Sequence, residues 1–161
     1  MKRRLGWALG AVLVIGLCGV GFASTEGEEI VFTPEAISWG SGPASLSPGA
    51  QMAVLEGDPA KAGPFTLRLK FPANYKVSPH WHPADEHVTV IAGTLYLALG
   101  DQMSQPQEKK VLPAGSFRIV SAKAHHFGWT QEDGVTLQLH GWGPWEVHYL
   151  NPSDDPRNSR N

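Results

Sequence analysis

The chain has 161 residues, 42% of them hydrophobic and only 17% charged, with 18 Gly and 13 Pro. That is enough for one domain with a real core but not two, and the Gly and Pro content suits a turn-rich all-β domain. A formal charge of −2 and the lack of any basic stripe exclude nucleic acid as a partner.

The chain opens with a targeting segment. Lys2, Arg3 and Arg4 precede an uncharged apolar run from Leu5 to Phe22, and Gly21 and Ala23 supply the small residues of a cleavage site before Ser24. Residues 1–23 are therefore expected to be a bacterial-type signal peptide, with the mature protein secreted or periplasmic and free of the membrane. Left uncleaved, the run is just long enough to anchor the chain instead. Cleavage removes three basic residues, leaving ten against 15 acidic ones and a charge of −5. It also removes Cys18, the only cysteine, so the mature chain has no disulfide, no thiolate ligand and no cysteine nucleophile.

Residues 24–49, rich in Gly, Pro and Ser, read as an N-terminal arm, and 50–150 as a β-domain. Strands are expected over Met52–Leu55, Phe65–Phe71 and Tyr75–Val77. In the second, Leu67, Leu69 and Phe71 alternate with Thr66, Arg68 and Lys70, a clear period of two. Glu86–Ile91 and Thr94–Leu99 flank Ala92-Gly93 and read as a hairpin. Asp101–Lys110 reads as a polar loop. Ser116–Val120, His125–Thr130, Val135–His140 and Glu146–Leu150 complete the strands, and 151–161 reads as a frayed polar tail. Short strands at regular spacing, with no long amphipathic helix, favour a sandwich or closed barrel.

One stretch carries chemistry. His80 and His82 are two residues apart, so on a strand they face one way and Trp81 the other. Pro83 and Ala84 suit a bend, after which Glu86 returns on a neighbouring strand. Two neutral imidazoles and a carboxylate converging on one point suit a borderline divalent ion. Downstream, Gly115 to His126 reads as turn, short strand, turn and histidine pair.

These residues resemble the two motifs of the cupin superfamily. His80, His82, Glu86 and Gly93 fit G-x5-H-x-H-x3-E-x6-G in register, with Asn74 in place of the first glycine. Gly115 and His126 fit the ends of G-x5-P-x-G-x2-H-x3-N, while Ser121, Lys123 and Thr130 replace its proline, glycine and asparagine. The resemblance implies an antiparallel β-barrel of jelly-roll type. It also implies one divalent transition metal ion (Fe, Mn, Ni, Zn or Cu) on His80, His82, Glu86 and His126, and often a homodimer. Asn tolerates the left-handed backbone better than most residues; Ser121 and Lys123 constrain their turn less than Pro and Gly would.

The remaining polar residues have plainer readings. His87 and His125 neighbour ligand positions and should face away, and His148 reads as structural. Gln138 and His140 share a face opposite Leu137 and Leu139. They either line the pocket, as the candidate catalytic pair, or face solvent while the leucines point inward. Trp129, Trp142 and Trp145 either rim a pocket or pack against the barrel end. Two function classes follow: a dioxygenase-like or isomerase-like metalloenzyme acting on a small organic molecule, or a non-catalytic module that binds or senses a metal or small ligand.

Overall fold

A computed structural model of the protein describes residues 29–158. The expected signal peptide at 1–23, Cys18 included, lies outside the described residues, as do 24–28 of the arm and 159–161 of the tail. The chain divides into two units, residues 1–31 and 32–161. Of the first, the described residues 29–31 are exposed and without regular structure.

The second unit is the antiparallel barrel that the sequence predicts. Its described strands are β1 (Gly40–Ser41), β2 (Gln51–Glu56), β3 (Gly63–Phe71), β4 (Lys76–Trp81), β5 (Glu86–Leu99), β6 (Glu108–Pro113), β7 (Phe117–Val120), β8 (His126–Trp129), β9 (Val135–Gly143) and β10 (His148–Tyr149). They follow the order β1-β2-β3-β9-β5-β8-β4-β10, with β6 and β7 also on β5. Alternation does the sorting. On β3, Phe65, Leu67, Leu69 and Phe71 are all at most 8% exposed, whereas Thr66, Arg68 and Lys70 lie on the outer side. With Val88 and Val90 of β5 and Leu137 and Leu139 of β9, they form one continuous core. Truncating a fully buried member such as Leu67 to Ala would cost about 2–5 kcal/mol.

The hairpin expected around Ala92-Gly93 does not form. β5 runs unbroken through both residues, which pair with Thr136 and Val135 of β9. Its first half pairs with β7 and β9, its second with β6 and β8. A register shift between Val90 and Ala92 and a positive φ of 74° at Gly93 bend the strand from one sheet into the other instead of reversing it. Gly93 has to be glycine, because a Cβ there would collide with the Gly134 carbonyl. The polar loop expected over Asp101–Lys110 ends early, at β6. Its Glu-Lys-Lys start and closing Pro113 hide the strand from pattern reading, yet suit an edge that pairs with β5.

β5 joins the two sheets on one side of the barrel. On the other, the β1–β2 edge and the β4–β10 edge are not joined by a ladder among the described residues. The loop between β1 and β2, residues 42–50, crosses that seam. The Tyr75 hydroxyl donates to the Ser47 carbonyl at 2.6 Å and the Tyr149 hydroxyl to the Ser45 carbonyl at 2.7 Å. Between those serines, Leu46 is buried in the core. Residues 151–157 are tied down too. Pro152–Asp154 forms a turn of 3-10 helix capped by Asn151, and Arg157 donates to the Val147 carbonyl at 2.9 Å and pairs with Asp155.

Candidate metal centre

The site is built from both sheets. β4 carries His80, with His82 just beyond its end; β8 contributes His126; Glu86 opens β5. β4 pairs with β8 and β10 and not with β5, so Glu86 approaches from the other sheet instead of an adjacent strand. His80 and His126 are register partners. Trp81 points the opposite way and stacks on His148 at 4.2 Å.

Each inward imidazole is fixed through its Nδ1. His80 bonds the Ser78 carbonyl at 2.7 Å, His82 the Glu146 carbonyl at 2.7 Å and His126 the Ala124 carbonyl at 3.0 Å. A carbonyl only accepts, so in each ring Nδ1 holds the proton and Nε2 is left with a lone pair. The ligand atoms of the three buried histidines lie within 4.8 Å of one another, an arrangement that can hold a metal ion. The Glu86 carboxylate straddles the group, with Oε1 3.5 Å from His82 Nε2 and Oε2 3.5 Å from His126 Nε2.

The electrostatics of this cluster suit a cation. Burial pushes the His80 pKa well below its ordinary value, aided by His126 and His82, and burial likewise lowers His82 against the pull of Glu86. Burial would raise Glu86, but His82 and His126 outweigh it and hold the carboxyl at about 2. The site thus sets the buried Glu86 carboxylate against three imidazoles whose Nδ1 atoms are held by backbone carbonyls. His82 Nε2 is buried with no hydrogen-bond partner, which in a protein interior is costly unless something fills the place. A divalent ion with nitrogen and oxygen ligands fits that set; thiolate-dependent sites do not.

The four side chains line one end of a cavity of about 50 Å³. Its walls are apolar: Leu46, Leu69, Phe71, Val77 and Val88 are among them, together with Leu95, Leu97, Leu137, Leu139 and Val147. Trp145 closes it beside His82, stacked on that ring at 4.4 Å. Gln138 and His140, the candidate catalytic pair, do not line it. Leu137 and Leu139 take the inward positions of β9, so Gln138 turns outward to accept from Arg68 Nε at 3.1 Å, and His140 faces His87 across the ladder with Nε2 3.0 Å from His87 Nδ1. His125 also points away, to Asp101 at 2.8 Å. Trp142 is 64% exposed, and Trp129 stacks on Tyr96.

The departures from the two motifs prove to be local substitutions of the same geometry. Asn74 and Lys123 both have positive φ, 57° and 63°, where the motifs have glycine. The Lys123 N–H donates to the His82 carbonyl at 2.8 Å, tying the second motif's turn to the first. Thr130, in the asparagine's place, is buried. It accepts from Tyr75 N at 2.9 Å and donates to the Pro72 carbonyl at 2.6 Å. Sequence reading did not single out Leu46. Its one signal is a lone large apolar residue in Ala-Ser-Leu-Ser-Pro, otherwise a surface-loop composition.

The barrel has the cupin fold. It superposes on the polyketide cyclase RemF from Streptomyces resistomycificus with a TM-score of 0.67, at 14% identity over 81% of this chain and 92% of that one. An acetylacetone dioxygenase from Acinetobacter johnsonii gives 0.59, at 16% identity over 81% and 83%. An RmlC-like cupin from Shewanella frigidimarina gives 0.56, at 16% identity over 73% and 94%. At these identities the likeness is one of fold. Within it, residues 29–148 match the family described as a domain of unknown function, DUF4437, and the chain belongs to that family. No match is found among curated proteins.

Proposed function

We propose that the protein is an exported metalloenzyme that acts on a small, largely apolar organic molecule at a centre formed by His80, His82, His126 and Glu86. The observation that carries this reading is the convergence of three buried imidazoles, each held through Nδ1 by a backbone carbonyl, on the buried Glu86 carboxylate. His80, His82 and His126 would offer Nε2, and Glu86 a carboxylate oxygen. A divalent transition metal bound there would supply Lewis-acid or redox chemistry. The chain's own part is to hold three imidazoles through Nδ1 with Nε2 turned to the site, bury Glu86 beside them and exclude water with leucine and valine walls. The polyketide cyclase and the acetylacetone dioxygenase among the fold's relatives favour oxygen-bearing carbon skeletons as substrates, by analogy of fold.

A second reading, a non-catalytic metal-binding module, is favoured by one feature. Apart from the four site residues and Trp145, the cavity lining has no polar side chain among the described residues. Any proton transfer would fall to Glu86 or to the histidines. Elemental analysis of protein purified without added metal, followed by oxygen-consumption and product assays on small diketones and phenols, separates the two. Bound metal with turnover supports the enzyme; bound metal without turnover supports the module; no bound metal rejects both. Export through residues 1–23 is tested by N-terminal sequencing of protein from its native host, which should begin Ser-Thr-Glu-Gly.

A further inference from the structure

We infer that the seam crossed by residues 42–50 is the way into the cavity, and that Leu46 is the residue that sets what passes. This rests on the metal-centre reading for its ligand, a small apolar molecule, but not for its geometry.

From β3 round to β4 the wall is backbone ladder, β3 on β9, β9 on β5, β5 on β8 and β8 on β4, with β6 and β7 along the other side of β5. At the seam, β2 carries β1 at its free edge and β4 carries β10, and the 42–50 loop spans the gap. Two side-chain hydrogen bonds from the far edge hold it, Tyr75 to Ser47 and Tyr149 to Ser45. Those bonds bracket Leu46, which is 5% exposed and shares the cavity lining with His80, His82, His126 and Glu86. Tyr149 also lies against His80, 5.8 Å between rings, so the latch touches the metal-facing wall. The loop's own backbone bonds, Gly42 to Ala50 at 2.8 Å and Leu46 to Pro43 at 2.9 Å, are internal to it and survive an outward swing. A cavity of about 50 Å³ holds a few waters but no organic substrate of several heavy atoms. A ligand must therefore displace something; Leu46, like Trp145 and Val147 of the β9–β10 connection, is a lining residue outside the strands, and its loop is the one latched by two tyrosine hydroxyls.

The test needs two readouts. The first is amide hydrogen exchange of metal-free protein, wild type against the Tyr75→Phe/Tyr149→Phe double variant. Residues 42–50 should exchange faster by about tenfold or more, the scale of two net hydrogen bonds, while β5 and β9 keep their protection. The second is the rate at which excess EDTA strips zinc from zinc-loaded protein. It should rise by a similar factor in the double variant and in Leu46→Ala, and stay near wild type in Leu46→Met, which conserves volume. Unchanged exchange at 42–50, or faster exchange spread equally over β5 and β9, overturns the independent opening. Faster exchange at 42–50 with unchanged zinc release places the route elsewhere and overturns the inference. A wild type that binds no zinc or other metal defeats the metal centre, and the exchange result then decides the seam alone.

Discussion

His82, just beyond β4, faces the inside of the barrel and His140, on β9 of the other sheet, faces outward, and their surroundings differ in each respect that matters to a metal. His82 is buried, its Nδ1 spent on a main-chain carbonyl and its Nε2 without a partner, 3.5 Å from the Glu86 carboxylate. His140 is half-buried, and its Nε2 is already bonded to His87. One cluster leaves a buried nitrogen open to a cation; the other pairs its nitrogens with each other. A histidine's chemistry here is set by which nitrogen the backbone has claimed, and that depends on the face of the strand on which it stands.

The largest expected effect is on metal affinity. Changing residues around a bound ion typically costs ten- to a hundredfold, so deleting a ligand should cost about a hundredfold or more. His126→Ala and Glu86→Gln should show that loss by competition with a chelator, whereas His125→Ala and His140→Ala stay within about twofold. Equal losses on both faces would break the comparison.

Next in size is metal-linked stability. An ion that binds only the folded state stabilises it by about 2.7 kcal/mol at a hundred times its Kd. Chelation should lower the melting temperature of wild type and of His87→Ala alike, and leave that of Glu86→Gln nearly unmoved. A wild type indifferent to chelator would reduce the inner cluster to a hydrogen-bonded core.

The pH dependence of the metal-free protein sharpens the same contrast. The folded pKa values of His80 and His82 lie below the ordinary 6.5, so as pH falls through 6.5 the unfolded chain takes up protons that the folded chain refuses. Stability should therefore decline from about pH 6.5 downward. Glu86, lowered from 4.5 to about 2, adds a further loss between those values. Melting temperatures measured from pH 7.5 to 5 test the first limb; a flat profile would contradict neutral burial of the inner rings.

The smallest effect is a gain. Lys123 holds a left-handed φ of 63° while its N–H supports the His82 carbonyl. Lys123→Gly relieves that conformation and keeps the bond. After the added freedom of the unfolded chain is subtracted, it should stabilise by up to about 1 kcal/mol. Asn74→Gly should gain less, because Asn accepts the region more readily. Denaturant unfolding of the two variants side by side measures the difference.

Much of this architecture is legible in the chain. The period of two in Leu67, Leu69 and Phe71 names the core face of β3, and the His-x-His spacing places His80 and His82 together, because both patterns follow from the alternation of a single strand. Gly93 is legible as a special position but not as the right one: a glycine between two apolar runs serves a hairpin or a bend equally well, and only the partners of Ala92 and Gly93 on β9 distinguish them. β6 is hidden for a different reason. An edge strand buries little, so its sequence carries no apolar signature.

The residue types of the site and their spacing are readable along the chain, since motif positions along a strand translate directly into faces. Tertiary structure alone decided that Glu86 meets the histidines from the opposite sheet, that leucines instead of Gln138 and His140 take the inward face of β9, and that Leu46 of the arm completes the cavity. Each of these depends on what lies across a gap from residues distant in the chain, and alternation along one strand says which residues share a face but not which face turns inward.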